Sequence, residues 1–319
     1  MSSLENKSAG GGRRSIGEEI NRATKSLHAT SNTLIVSRLS LAIPPGARTP
    51  SNYATGLLHL APIFIAFESL WSDLLKRPDG GSDRAPTCCD DCAGCHQSKL
   101  PSNRKASARA DRSPLCDRLR LVLGPLYMPG LLRSDPLRCD IASITGWPID
   151  MVEEQIRLVA DTNHVQQLIS RITAAIEQKP HILLAYAWVL YMAVFSGGRF
   201  LRASLEVPGD YFWATTCHPV QPSNEAGRPS SVSQQLRAGV ESPELPLSFF
   251  RFRTPSDGED LRLEFKKQLA QSESLLTAPE REHIVQEAVH IFEDIIALVS
   301  HLDGLLETPT TTVGSDTQT

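Results

Sequence analysis

The sequence has little of several features that mark common protein classes. Its formal net charge is -4 at pH 7, which argues against a nucleic-acid surface, because phosphate contacts need clustered Lys and Arg. No alternation of polar and apolar residues is long enough to predict a sheet. The segment from Met1 to Gly12 has no apolar core and predicts no secretion signal, and the polar tail from Glu307 to Thr319 predicts no membrane anchor. These absences favour a cytoplasmic protein.

Cysteine is scarce outside one short segment. Four of the seven cysteines lie between residues 88 and 95, where they favour free thiols because no secretion signal precedes them. The sequence Cys92-Ala93-Gly94-Cys95-His96 matches the attachment motif of c-type heme. Alternatively, the cluster could hold zinc; its candidate ligands are Cys88, Cys89, Cys92 and Cys95. The surrounding residues 77–114 are rich in Pro, Gly, Ser, Asp and Arg, and this composition favours a third interpretation, an unstructured loop.

An apolar run from His181 to Arg199 is the most prominent feature that is present. It carries no charge between its ends and predicts a fully buried helix. The run is shorter than the roughly 20 apolar residues that cross a bilayer. Gly197 and Gly198 near its end each cost about 1 kcal/mol relative to alanine inside a helix. Either a flat ligand lies against this backbone without Cβ atoms, or the helix kinks at a tight crossing.

Helical periodicity extends over much of the rest of the chain. Ser15 and Glu18 have the spacing of a capping box, which predicts a helix beginning there and running to about Leu39. Further helices are predicted over about residues 51–77 and 151–178. The sequence therefore predicts an all-α single domain of about eight helices over residues 15–305. Four disordered segments are predicted around and within this domain: residues 1–14, 77–114, 207–245 and 306–319.

Two segments resemble the heme oxygenase family, in particular its fungal-type members. Residues 183–198 are similar to the family's distal helix, which runs from a leucine-rich stretch through a tyrosine to Ser-Gly-Gly; here these are Tyr191, Ser196, Gly197 and Gly198. Residues 23–28, Ala-Thr-Lys-Ser-Leu-His, resemble the helix that carries the family's proximal iron ligand. Weaker similarities around residues 126–129 and 248–288 keep the family's order along the chain.

This resemblance implies a heme-binding protein that cleaves heme to biliverdin, CO and iron, with an NADPH-dependent reductase as electron donor. His28 would be the proximal iron ligand, and Lys25 would lie near a heme propionate. The backbone of the Ser196-Gly197-Gly198 turn would cover the distal side. Three further residues are expected to contact the heme, the lysines as weaker candidates for the propionates: Tyr191, Lys266 and Lys267.

The chain departs from the family where protons would be delivered. Four polar positions of the family are occupied here by apolar residues: Val194 stands at the aspartate, Leu190 at the arginine, Phe64 at the tyrosine and Ile295 at the asparagine. An ordered water needs two to four polar partners, and these side chains offer none. Three hypotheses therefore stay open. The protein is an oxygenase with another proton route, for example through backbone carbonyls or Ser196; or it binds, transports or senses heme without degrading it; or it is a helical interaction protein that has lost heme.

Overall fold

The computed structural model describes residues 14–77, 115–215 and 244–307. These residues form helices and turns, with no strand among them, which confirms the all-α prediction. Within them the helices are α1 Ile16–Ala23, α2 Lys25–Ala42, α3 Ser51–Lys76, α4 Asp117–Leu123, α5 Ser134–Thr145, α6 Ile149–Ala160, α7 Asn163–Gln178, α8 Leu183–Tyr186, α9 Met192–Phe195, α10 Gly197–Glu206, α11 Gly209–Trp213, α12 Glu259–Ser272 and α13 Ala278–Glu307.

The helices outnumber the predicted eight because several of the predicted helices are interrupted. The first one breaks at Thr24, whose hydroxyl donates to the carbonyl of Ile20 at 2.9 Å. The predicted helix over residues 151–178 is divided at Asp161 and Thr162. The apolar run contains a π-helical turn, Ala187–Tyr191, and a break at Ser196. Because apolar residues recur on both sides of each break, periodicity alone does not show where the helices are interrupted.

The capping box at the start of α1 is confirmed. The backbone N–H of Glu18 donates to Ser15 Oγ at 3.2 Å, and the N–H of Ser15 donates to Glu18 Oε2 at 3.0 Å. Gly17, inside this box, packs against the ring of Trp188, since a Cβ at Gly17 would lie 2.5 Å from Cη2 of the indole. The cap therefore fixes α1 directly against the apolar run.

The predicted disordered insertion at residues 207–245 begins too early. Residues 209–213 form α11, with Phe212 and Trp213 buried. The indole N–H of Trp213 donates to the carbonyl of Leu205 at 3.1 Å, which ties this short helix to α10. The remainder of the predicted insertion, residues 216–243, lies outside the described residues, as does the cysteine-rich segment.

The centre of the fold is α3, which packs against α5, α6 and α7. Two helical stretches, Ser51–Lys76 and Pro180–Glu206, are long and apolar enough to span a membrane by length and composition alone. The prediction that the apolar run is too short to span a membrane is therefore wrong by length alone, because its helical stretch continues to Glu206. Of their most apolar windows, 67% and 72% are buried inside the structure, as is usual for core helices.

Two buried carboxylates accept hydrogen bonds that hold neighbouring segments of the chain against this core. Glu68 of α3 accepts hydrogen bonds from the backbone N–H groups of Arg133 and Ser134, at 2.8 and 3.1 Å. Asp140 of α5 accepts from the N–H groups of Ser248 and Phe249, both at 2.8 Å. A buried carboxylate is tolerated when such donors surround it. These bonds fix the short 3-10 turn Ser248–Phe250 against α5.

Asp140 predicts a specific pH dependence of stability. Burial raises the pKa of its carboxyl from 3.8 to about 6, so between these values the folded protein binds more of this proton than the unfolded chain does. The contribution of Asp140 to the free energy of unfolding should then fall as pH rises through that window. Asp140→Asn should remove this fall in urea unfolding measured from pH 4 to 6.5. Asp135→Asn, at an exposed carboxylate on the same helix, should keep it; equal slopes in all three proteins would contradict the prediction.

Candidate functional site

A cavity of about 790 Å³ lies between the helices that carry the predicted site residues. Its walls come from α1, α2, α3, α7, the apolar run, α10, α12 and α13, and most of the lining side chains are apolar. Small-molecule and cofactor sites usually have about 300–1,000 Å³ and a mostly apolar lining with a few polar groups. The cavity is therefore large enough for a cofactor-sized ligand.

His28 lines this cavity from α2. Its ring meets the ring of Phe292 edge-on, with centroids 5.7 Å apart. The backbone of His28 is bonded within the helix, and among the described residues no hydrogen bond is found for the imidazole nitrogens. The side chain is exposed on the cavity wall, so a ring nitrogen is available to a ligand or a metal.

The two glycines of the Ser-Gly-Gly turn meet different surroundings. A Cβ on Gly197 would find no atom within 4 Å, and Gly197 lines the cavity. A Cβ on Gly198 would lie 3.1 Å from Phe250 and 3.3 Å from the carbonyl oxygen of Ala193. Gly197 thus leaves open space for a ligand, whereas Gly198 allows close packing. The close packing at Gly198 agrees with a tight contact, and the open space at Gly197 leaves the expectation of a flat ligand there untested.

Ser196 breaks the helix at this turn, with φ -104° and ψ -87°. Its hydroxyl donates to the carbonyl of Met192 at 2.9 Å and lines the cavity. The donor of Ser196 is therefore occupied within its own helix, and only its lone pairs face a ligand.

Tyr191 does not lie where the sequence predicted. It is buried outside the cavity, and its hydroxyl donates to Glu68 Oε1 at 3.1 Å. Burial and the nearby Glu68 carboxylate raise the pKa of Tyr191. The π-helical turn ends at this residue, and such turns insert one residue and so re-aim the side chains that follow. Tyr191 therefore supports the core instead of contacting a ligand.

The four apolar residues that the resemblance places at polar positions of the family all line the cavity. Leu190 and Val194 come from the apolar run, Phe64 from α3 and Ile295 from α13. The phenyl ring of Phe64 packs edge-on against Phe249, with centroids 5.3 Å apart. The family resemblance thus selected four residues that the structure places around one cavity. Their side chains offer water no polar partner.

Basic residues gather at the exposed edge of the cavity. Lys25 and Lys266 both line it, and Lys266 Nζ lies 5.9 Å from the centroid of the Trp188 ring. Lys267 does not line it; its ammonium lies 3.3 Å from Glu264 on the exposed side of α12. Arg199 and Arg262 also line the cavity. Neither arginine was predicted to line the site, although Arg199 directly follows the glycines and Arg262 stands four residues before Lys266, on the same helix face.

Two acidic or hydroxyl side chains of the cavity wall were also missed. Tyr186 lies one helical turn before Leu190, and Asp294 directly precedes Ile295. Neither residue matches a family motif. The contacts that connect them run through α7 and α13, which are far from each other in sequence. The sequence did offer one signal for Tyr186, which is a polar residue inside an otherwise apolar run.

Comparison with known proteins adds the family. The family model described as Heme oxygenase matches residues 117–301, more than half of the chain. The chain belongs to the heme oxygenase family. A search among curated proteins finds no significant match.

Solved heme oxygenases share the fold of this family member. Heme oxygenase 2 of Chlamydomonas reinhardtii, solved without heme, is 16% identical with a TM-score of 0.58, over 91% of this chain and 98% of that one. Heme oxygenase-2 of Synechocystis, solved with heme and NO, is 15% identical with a TM-score of 0.57, over 92% and 87%. The enzyme of Leptospira interrogans is 16% identical with a TM-score of 0.55, over 90% and 100%. Such low identity shows the fold alone.

The zinc interpretation gains no support from the part of the chain that the structure describes. Residues 14–77, 115–215 and 244–307 contain no group of three or more His, Cys, Asp or Glu side chains arranged to hold a metal ion. The proposed zinc ligands, Cys88, Cys89, Cys92 and Cys95, lie outside these ranges, together with the CxxCH motif.

The glycine pair predicts opposite stability effects for the same substitution. Gly197→Ala should stabilise the protein by a few tenths to about 1 kcal/mol, because alanine favours the helix and its Cβ meets open space. Gly198→Ala should destabilise it by about 1 kcal/mol, because the Cβ forces Phe250 to shift. Urea unfolding of both variants and the wild type measures this. Destabilisation by both substitutions would show that Gly197 is not free of contacts.

Proposed function

We propose that this protein binds heme in the cavity, with His28 as the proximal iron ligand, and cleaves it oxidatively to biliverdin, CO and iron. The observation that carries the proposal is that one cavity is lined both by an imidazole without a hydrogen bond to the described residues and by a glycine backbone facing open space. Membership of the family supports it.

The residues present fit heme as a ligand. The macrocycle is flat and apolar, and it would occupy the space that a Cβ at Gly197 would enter, between mostly apolar side chains. Its two propionates would reach the exposed edge, where Lys25 and Lys266 line the cavity. Because both lysines are exposed, they pair with carboxylates without the desolvation cost of buried ions.

The residues on different sides of the cavity have different roles in this proposal. Heme supplies the oxidative chemistry when bound, and an NADPH-dependent reductase supplies electrons. His28 would hold the iron, and the backbone at Gly197 would limit the space beside the bound heme and so restrict which part of its edge is accessible. Phe64, Leu190 and Val194 exclude water from their side of the cavity. We place the reaction in the cytoplasm, which cell fractionation tests.

One observation favours a second candidate function, heme binding without degradation. The residues at the family's polar positions are apolar and lie together on the cavity wall. A protein that sequesters or senses heme needs the iron ligand and the apolar cavity but no proton route. The two candidates share the same binding site and differ only in turnover.

His28 gives the direct test of binding. Hemin added to the wild type should produce a sharp Soret band, and His28→Ala should lose it or shift it, because the iron loses its protein ligand. His164→Ala is the matched control: this histidine stacks on His301 outside the cavity. An unchanged spectrum in His28→Ala would remove the assignment of the ligand.

Turnover separates the two candidate functions. The hemin complex, supplied with NADPH and a reductase, should yield biliverdin and CO in equal amounts. A persistent Soret band without either product would contradict cleavage and leave heme binding as the function.

A further inference from the structure

The cavity wall is not apolar throughout. Tyr186 lines the cavity one turn before the apolar Leu190, and Asp294 lines it directly before the apolar Ile295. Tyr186 is 1% exposed, and its ring stacks on Phe67, with centroids 5.9 Å apart and planes at 21°. The ring of Tyr186 is therefore held in a fixed orientation beside the cavity.

These two residues belong to one hydrogen-bonded network. The hydroxyl of Tyr186 donates to Glu287 Oε1 at 2.6 Å. Arg171 Nη1 donates to the same oxygen at 3.2 Å, and the other amino group of Arg171 pairs with Asp294. The guanidinium thus bridges two carboxylates of α13, and through it the two polar residues of the cavity wall are connected.

The same network reaches solvent. His290 Nδ1 lies 3.5 Å from Glu287 Oε2, and the His290 side chain is 43% exposed, whereas the Glu287 side chain is 9% exposed. The Arg171 side chain is 36% exposed. One end of the network therefore faces the cavity and the other end faces bulk water.

We propose that Tyr186, Glu287, Arg171 and Asp294 form a proton relay that replaces the missing distal carboxylate. This inference rests on the proposed function. In each transfer, His290 first passes a proton from solvent to the Glu287 carboxylate. The Tyr186 hydroxyl then gives its own proton to a water in the cavity, while Glu287 gives the new proton to the Tyr186 oxygen and becomes a carboxylate again. The net result is one proton moved from solvent into the cavity, with no electron transferred.

The chemistry of the side chains suits this role. A water in the cavity needs at least two polar partners, and Tyr186 and Asp294 are two polar residues of the lining beside the apolar Leu190 and Ile295. Burial and the Glu287 carboxylate raise the pKa of Tyr186, so its hydroxyl stays protonated at neutral pH. Arg171 holds the two carboxylates in place, because charge-assisted bonds are the stronger and more directional ones.

The test compares two variants of the relay with one matched control, all as hemin complexes. Tyr186→Phe removes the cavity hydroxyl and keeps the ring on Phe67. Asp294→Asn keeps the shape and removes the charge. Tyr191→Phe is the control, because it also removes a buried tyrosine hydroxyl bonded to a glutamate, but outside the cavity. The measurements are single-turnover biliverdin formation in H₂O and D₂O, and the pH midpoint of the visible spectrum of the ferric hemin complex.

Both relay variants should lower the rate by about 100-fold, the lower end of the range in which general acid–base groups act, and should increase the solvent isotope effect. They should also shift the pH midpoint of the spectrum, which requires no turnover. Tyr191→Phe should match the wild type in all three measurements. Thermal unfolding identifies a variant that fails to fold, and the other variant then decides.

The outcomes separate this inference from the proposed function. Hemin binding and turnover in the wild type, with both relay variants equal to Tyr191→Phe, would overturn the relay and leave the proposed function standing. Hemin binding without turnover in the wild type would overturn both the relay and cleavage. No hemin binding at all would overturn every part of the proposal.

Discussion

The hydrogen bonds of three buried charged residues, Glu68, Arg133 and Asp140, are the interactions on which the cavity depends. The side chain of Arg133 donates to the carbonyl of Arg251 at 2.7 Å, and its guanidinium carbon lies 4.2 Å above the ring of Phe252. Burial lowers the pKa of Arg133 to about 10, so it stays charged at neutral pH. Removing one member would leave buried charges or backbone groups without partners, which usually costs more than the lost bond itself.

These bonds position the aromatic wall of the cavity from outside it. Phe249 and Phe250 line the cavity, and they follow Ser248, whose backbone is bonded to Asp140. The next aromatic residue, Phe252, stacks on Phe195 at 4.3 Å with planes at 10°. Because Phe195 directly precedes the Ser-Gly-Gly turn, the buried charges and the glycine backbone form one connected support.

The sequence predicted those parts of the fold and site that short motifs determine. The capping box needs only Ser15 and Glu18, and the contexts of His28 and of the two glycines are local. Parts that depend on long-range packing were missed or misplaced. Tyr191 was expected beside the ligand, but a π-helical turn and its bond to Glu68, 123 positions away, place it in the core. Trp213 lies in a segment whose composition predicts a loop, and the long-range packing of its ring on Tyr53 could not be read from that composition.

One physical reason accounts for an apolar wall at Leu190 and Val194 and for a charged residue, Asp294, elsewhere in the lining. A carboxylate in an apolar cavity needs a counter-charge and hydrogen-bond donors, or it takes up a proton. With Leu190 in place of a basic residue, a carboxylate at Val194 would have no counter-charge on its own helix. Asp294, by contrast, pairs with Arg171 on a neighbouring helix. In this chain the cavity can therefore hold a carboxylate beside Arg171, while the wall of Leu190 and Val194 is stable only when it is apolar.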